Sequence, residues 1–163
     1  MSRLSLLALL LCAGGLAAAE PLLAMTVKDM QGAAGNEGKA VDGTFRTLPV
    51  DGNDVHRLKI PLPAGAPDLG EKIRCVVEVE AMQATTVALM LVVQKPEGGW
   101  AGNLQGEQKV AAGKQTLTWK FADLKPANGQ PVAAGRPGTV ILMSWSPASE
   151  LRLTRLAIGA EAK

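Results

Sequence analysis

The chain has 163 residues, a net charge of +2 and 20% charged residues. That length holds about one domain with a core of its own. Charges of both signs are interspersed with no cationic run, which excludes a nucleic-acid-binding surface and a polybasic membrane patch.

The N-terminus has a pattern of its own. Arg3 precedes an apolar run over residues 4–11, then come Gly14-Gly15 and Ala17-Ala18-Ala19. A positive start, a short apolar stretch and a small-residue cleavage site are the marks of a secretory signal peptide. The run falls short of the roughly 20 apolar residues that span a bilayer. Residues 1–19 are therefore expected to leave as a signal, residues 20–163 to form one domain, and no membrane insertion to follow. Cys12 sits inside the apolar run after Leu11, where a lipidation site would want a small residue, so it is expected to leave too. Cys75 then has no partner for an internal disulfide. An exported chain of this size without disulfides depends on its core, which suits the periplasm or cell exterior of a bacterium.

In chain order, residues 22–27 read as a strand with Leu23, Met25 and Val27 on one face. Residues 31–39 are rich in Gly, Ala and Asn and read as a loop. Residues 44–50 and 55–62 read as a hairpin, because Asp51-Gly52 supplies the positive φ that tight hairpin turns need. Pro49 and Pro61 hold these strands at an edge or a strand end, since proline cannot donate to a ladder. Residues 72–95 form the architectural centre, two consecutive strands. In the first, Ile73, Cys75, Val77 and Val79 face one way, while Arg74, Glu78 and Glu80 face water with Val76. In the second, Val87, Leu89, Leu91 and Val93 share one face and Ala88, Met90 and Val92 the other. Only one of those faces can meet the sandwich core, so the second poses the functional question.

Residues 96–103 read as a glycine-rich loop carrying Trp100, followed by a weak strand over 107–111. Residues 115–121 alternate cleanly, with Leu117, Trp119 and Phe121 inward. Residues 122–138 read as a long surface loop, and 139–145 as a second central strand that is apolar on both phases. In the last strand, 150–159, Leu151 and Leu153 are out of phase with Leu156 and Ile158. A β-bulge near Thr154-Arg155 is expected, because one extra residue exchanges the two faces. The fold class that follows is all-β: a two-sheet antiparallel β-sandwich or jelly roll of about eight or nine strands, without a convincing helix.

Chemistry-bearing clusters are sparse. His56 is the only histidine. It shares a phase with Leu58, Ile60 and Leu62 and reads as a histidine at the sheet margin. Ser144, Ser146 and Ser149 lie in no nucleophile elbow. Cys75 sits in an apolar phase, where a free thiol is inert core. Asp42, Asp51 and Asp54 lie in turns and match no calcium loop, so no metal and no cofactor is expected. Nothing here assembles an enzyme. Aromatics are few, with three Trp, two Phe and no Tyr. Trp100 stands apart, because a Trp among glycines has little local scaffold to pack on and can serve as a stacking platform.

Gly113-Lys114-Gln115-Thr116-Leu117-Thr118-Trp119-Lys120-Phe121-Ala122-Asp123-Leu124-Lys125, the proline-rich loop after it and the two closing strands resemble the C-terminal half of galactose-binding-like jelly rolls. That is the fold of many carbohydrate-binding modules. The resemblance implies a non-catalytic binding domain, exported by its signal peptide, whose ligand is a glycan or another extracellular ligand. Where such modules carry acidic residues linked to a calcium in the last strand, this chain has Leu153-Thr154-Arg155-Leu156. The expected ligand-binding residues are Trp100, Asn103, Trp145 and Met90. The alternative is a structural or protein-interaction subunit of the periplasm or cell surface, meeting an extracellular protein partner through outward Val76, Met90 and Val92.

Overall fold

A computed structural model describes residues 21–66, 70, 73–133 and 135–160. The expected signal peptide, residues 1–19, lies outside them. The chain order is β1 (Pro21–Thr26), α1 (Val27–Gly32), β2 (Lys39–Val41), β3 (Thr44–Arg46), β4 (Leu48–Pro49), β5 (His56–Pro61), β6 (Ile73–Ala81) and β7 (Thr85–Gln94). Then follow β8 (Trp100–Val110), β9 (Gly113–Lys120), a 3-10 turn (Phe121–Asp123), β10 (Lys125–Pro126), β11 (Arg136–Trp145) and β12 (Leu151–Ala160).

The strands form two antiparallel sheets. Sheet A runs β2-β3-β12-β6-β9, with β1 also on β12, and sheet B runs β10-β8-β7-β11-β5-β4. The architecture is the expected all-β sandwich of jelly-roll type. Between the sheets, Phe45, Leu58, Ile60, Val77, Leu89, Leu91, Leu142, Leu151, Leu153, Leu156 and Ile158 are all but sealed from solvent. They are the inward phase of their strands, and area removed from water is what holds a disulfide-free sandwich together. Cys75 is fully buried among them, and burial alone pushes its thiol up to about 12.

The bulge in β12 is present. Leu153 stands opposite Val79 and Arg155 opposite Glu78, leaving Thr154 as the extra residue. Leu151, Leu153, Leu156 and Ile158 thereby all reach the core. The Asp51-Gly52 hairpin is present as well, with Leu48 opposite Arg57 and Pro49 opposite His56, and Gly52 at φ 74°. Pro49 lies in the edge strand β4.

Four expectations are corrected. Residues 44–50 are not one strand: β3 pairs with β12 in sheet A and β4 with β5 in sheet B. The chain crosses between sheets at Thr47, which is buried; its N–H donates to the Leu151 carbonyl at 3.0 Å and its Oγ1 accepts from the Leu151 N–H at 2.9 Å. The expected central pair is likewise divided, with β6 inside sheet A and β7 inside sheet B. Their turn is a sheet-to-sheet crossing.

The third correction is a helix, α1. Thr26 and Asp29 form a capping box: Thr26 N–H donates to the Asp29 carboxylate at 2.8 Å, and the Asp29 N–H donates to Thr26 Oγ1 at 3.4 Å. The Thr26 N–H bond, then the hydroxyl bond, hold the Asp29 carboxyl below its ordinary value. The helix buries Met30 completely under one end of the sandwich. The fourth correction concerns Trp100, expected in a loop. It begins β8, an eleven-residue strand that absorbs the weak strand expected at 107–111.

Candidate functional site

Register places the residues singled out from sequence. On β7, Val87, Leu89 and Leu91 point into the core, so Ala88, Met90 and Val92 point out of sheet B. Cross-strand neighbours share a face. Asn103, Gln105 and Glu107 of β8 stand opposite Val92, Met90 and Ala88. Ile141, Met143 and Trp145 of β11 stand opposite Met90, Ala88 and Thr86. Lys59 and Arg57 of β5 stand opposite Ile141 and Met143.

The outer face of sheet B therefore has a half-buried apolar floor of Met90, Val92, Ile141 and Met143. One margin carries the amides of Asn103 and Gln105 with Glu107. The other carries an ion-pair cluster: Glu37 bridges to Arg57 at 2.6 Å and to Lys59 at 3.6 Å. An apolar floor between hydrogen-bonding margins matches a ligand that has apolar ring faces and polar edges.

Trp100 closes one end. It pairs with Gln94 after a bulge at Val93/Gln94, is 60% exposed, and its Nε1 donates to Asn103 Oδ1 at 3.0 Å. Trp145 marks the other end, half-buried and opposite Thr86. Eight residues of β7 separate the two pairings, roughly 26 Å at the ~3.3 Å rise of a strand. Trp100, Asn103, Met90 and Trp145 thus lie on one face. Arg57, Lys59, Gln105 and Ile141 lie there too and were missed by sequence reasoning. Their signal is register, which one sequence does not carry.

Val76 is on the other side of the molecule. It stands opposite Ala157 and Thr118 on the outer face of sheet A. The outward apolar set expected as one interface, Val76 with Met90 and Val92, is therefore split between two opposite faces. Sheet A's outer face is charged instead. A groove of about 620 Å³ is lined by Arg46, Glu78, Glu80, Lys114 and Arg152. Its groups largely neutralise each other: Glu150 holds Arg152 at 2.6 Å and Arg46 at 3.6 Å, and Arg155 meets Glu78 at 3.4 Å. The hydrogen bond that Arg152 Nε donates to the Glu150 carboxylate raises the guanidinium above its ordinary value.

His56 stands opposite Ser144 across β5 and β11. This pair is no nucleophile and base. Ser144 is fully buried, its Oγ donates to the Ser149 carbonyl, and it accepts from the Ser149 N–H at 3.1 Å. Both lone-pair and proton capacity serve the turn. His56 Nδ1 is buried without a hydrogen-bond partner. Among the described residues no group of three or more His, Cys, Asp or Glu is placed to hold a metal ion. Asp42 is exposed and pairs with Arg46 at 3.2 Å, while Asp51 and Asp54 are exposed in the hairpin turn. No helix among the described residues is long and apolar enough to cross a membrane.

No protein-family profile matches the sequence, and no curated protein does. Solved structures share the fold. The family 11 carbohydrate-binding module of cellulosomal cellulase Lic26A-Cel5E of Clostridium thermocellum superposes with a TM-score of 0.57 at 13% identity, over 78% of this chain and 83% of that one. A family 11 module from Clostridium thermocellum in complex with a β-1,3-1,4-mixed-linked tetrasaccharide gives 0.53 at 13% identity, over 78% and 85%. A family 30 carbohydrate-binding module gives 0.55 at 12% identity, over 90% of this chain and 97% of that one. Across so little shared sequence the likeness is one of architecture, and it fixes the architecture: this chain has the jelly-roll fold found in carbohydrate-binding modules.

Proposed function

We propose that this chain is a non-catalytic carbohydrate-binding domain, exported to the periplasm or cell exterior, that lays a glycan along the outer face of sheet B. The observation that carries the reading is the Trp100 platform: a 60%-exposed indole, hydrogen-bonded to Asn103, at the end of an apolar floor. Pyranose rings offer apolar C–H faces and equatorial hydroxyls. The faces suit Trp100, Met90 and Ile141; the hydroxyls suit Asn103, Gln105 and the Arg57–Glu37–Lys59 cluster. Solved structures of the same fold named as carbohydrate-binding modules, one of them holding a tetrasaccharide, support the ligand class. The N-terminal pattern around Arg3 and Ala17-Ala18-Ala19 supports export.

The test is calorimetric titration of wild type and Trp100→Ala against a panel of soluble β-glucan, xylan and mannan oligosaccharides. Binding by wild type that collapses in Trp100→Ala supports the reading. Equal binding by both removes Trp100 from the site. Absence of binding across the panel favours a protein partner on the same floor of Met90, Val92, Ile141 and Met143.

A further inference from the structure

A second cavity opens where the two sheets part. β9 is the last strand of sheet A, and in sheet B the strand beyond β8 is only the two-residue β10. β10 pairs with Gln105 and Leu104 and goes no further. Among the described residues, no strand covers the edge of β8 from Gly106 onward. The result is a slot of about 690 Å³ between the edges of the two sheets, lined by Gln105, Gly106 and Glu107 from β8, Thr118 and Trp119 from β9, and Leu124. Gln108 Nε2 donates to the Thr118 carbonyl at 2.7 Å and ties the two sheets together across it.

Two features make this more than a seam. Trp119 is 95% buried by its 5% exposure, yet its Nε1–H has no hydrogen-bond partner. A buried donor without an acceptor is unfavourable, so few are kept. The missing side chain at Gly106 is what makes room beside it. A Cβ there would stand 2.8 Å from Leu124 Cδ2, 3.1 Å from Trp119 Cδ1 and 3.6 Å from Trp119 Nε1. The N–H edge of the indole therefore faces the glycine that lines the slot. Leu124 and the indole supply apolar surface; Gln105, Glu107, Thr118 and Asp123 supply polar groups.

We propose that this slot binds a single neutral sugar unit branching from the glycan on sheet B, with one of its oxygens accepting from Trp119 Nε1–H. The placement rests on the glycan reading above and extends it to decorated polysaccharides. Gln105 and Glu107 belong to both places: they line the slot and stand opposite Met90 and Ala88 on the outer face. A branch leaving the main chain at this margin passes over the edge of β8 directly into the slot. A neutral hydroxylated unit fits because the rim sets Glu107 and Asp123 against Lys120 and Lys125, which gives neither sign of charge an advantage.

The experiment reads the three indole N–H resonances of the nitrogen-15-labelled protein, assigned with Trp→Phe variants, during titration with an unbranched mannan oligosaccharide and its galactosylated counterpart, and with unbranched and xylosylated cello-oligosaccharides. The branched oligosaccharides are expected to shift Trp119 and Trp100, the linear ones Trp100 only. Trp119→Phe is expected to lower the preference for branched over linear by about threefold to tenfold, the worth of one hydrogen bond, with linear affinity unchanged. Gly106→Ala, which narrows the slot and keeps the indole, is expected to do the same, and thermal melts verify that both variants fold. Movement of Trp100 with Trp119 unmoved by every branched ligand overturns the slot and leaves the face reading standing. Movement of Trp119 alone supports the slot and overturns the face. Movement of neither overturns both.

Discussion

Asn103→Leu separates holding a platform from touching a ligand. Asn103 accepts the Trp100 Nε1–H at 3.0 Å in an exposed setting. Leucine keeps the bulk and removes the acceptor. Surface changes of this kind leave stability within about 0.5 kcal/mol. Binding is affected more, because a freed indole has to be ordered again on the ligand. Immobilising one such side chain costs about 0.5–1.5 kcal/mol, which is about two- to twelvefold in Kd. Trp100→Ala deletes the platform itself and is expected to lose 2 kcal/mol or more, roughly thirtyfold. Asn103→Asp keeps an acceptor and is expected to keep affinity. The assay is calorimetric titration with the best glycan of the panel, completed by the double variant. If Asn103 acts through Trp100, adding Asn103→Leu to Trp100→Ala changes nothing further. Full additivity refutes the positioning role and makes Asn103 a direct contact, and wild-type affinity in Asn103→Leu refutes both.

Other outcomes follow from the same structure. Cys75, fully buried with its thiol held up to about 12, is expected to ignore a thiol reagent at pH 8 in the native state and to react once guanidinium unfolds the chain. The Asp29 carboxyl is held below the ordinary 3.8 by Thr26, so its contribution is present above that value and lost as pH falls through the folded one. Asp29→Asn is accordingly expected to flatten the acid limb of a melting-temperature profile and to leave its neutral shape alone. Gly135→Ala places a Cβ 2.2 Å from the Gln94 carbonyl oxygen, which is backbone and cannot rotate away. A loss of about 1–3 kcal/mol in chemical denaturation is expected, the range of overpacking. Deletion of Thr154 removes the bulge residue, so Leu151 and Leu153 or Leu156 and Ile158 must leave the core. The variant is expected to lose its cooperative unfolding transition.

Periodicity along a strand is a local property, and the sequence by itself determined everything that rests on it. The alternation in β6 and β9, the two apolar faces of β7 and β11, the Asp51-Gly52 turn and the slip at Thr154 are each written within ten or so residues. So is the identity of Trp100 as the aromatic without a local scaffold. What a strand pairs with is not local. Only the tertiary structure decided that β6 and β7 belong to different sheets, that Thr47 is the crossing point between β3 and β4, and that Val76 and Met90 face opposite ways. β8 was hidden for a related reason. Its inward phase holds Gly106 and Gln108 where a core strand would carry aliphatic residues. Those same positions open the slot beside Trp119, so the chemistry that obscures the strand is the chemistry that builds the cavity. The α1 helix has only six residues and draws its stability from the Thr26–Asp29 cap and from Met30 in the core. Only the cap can be read from sequence. The site is a matter of register: Trp100 and Trp145, far apart in the chain, share a face because β8 and β11 both pair with β7.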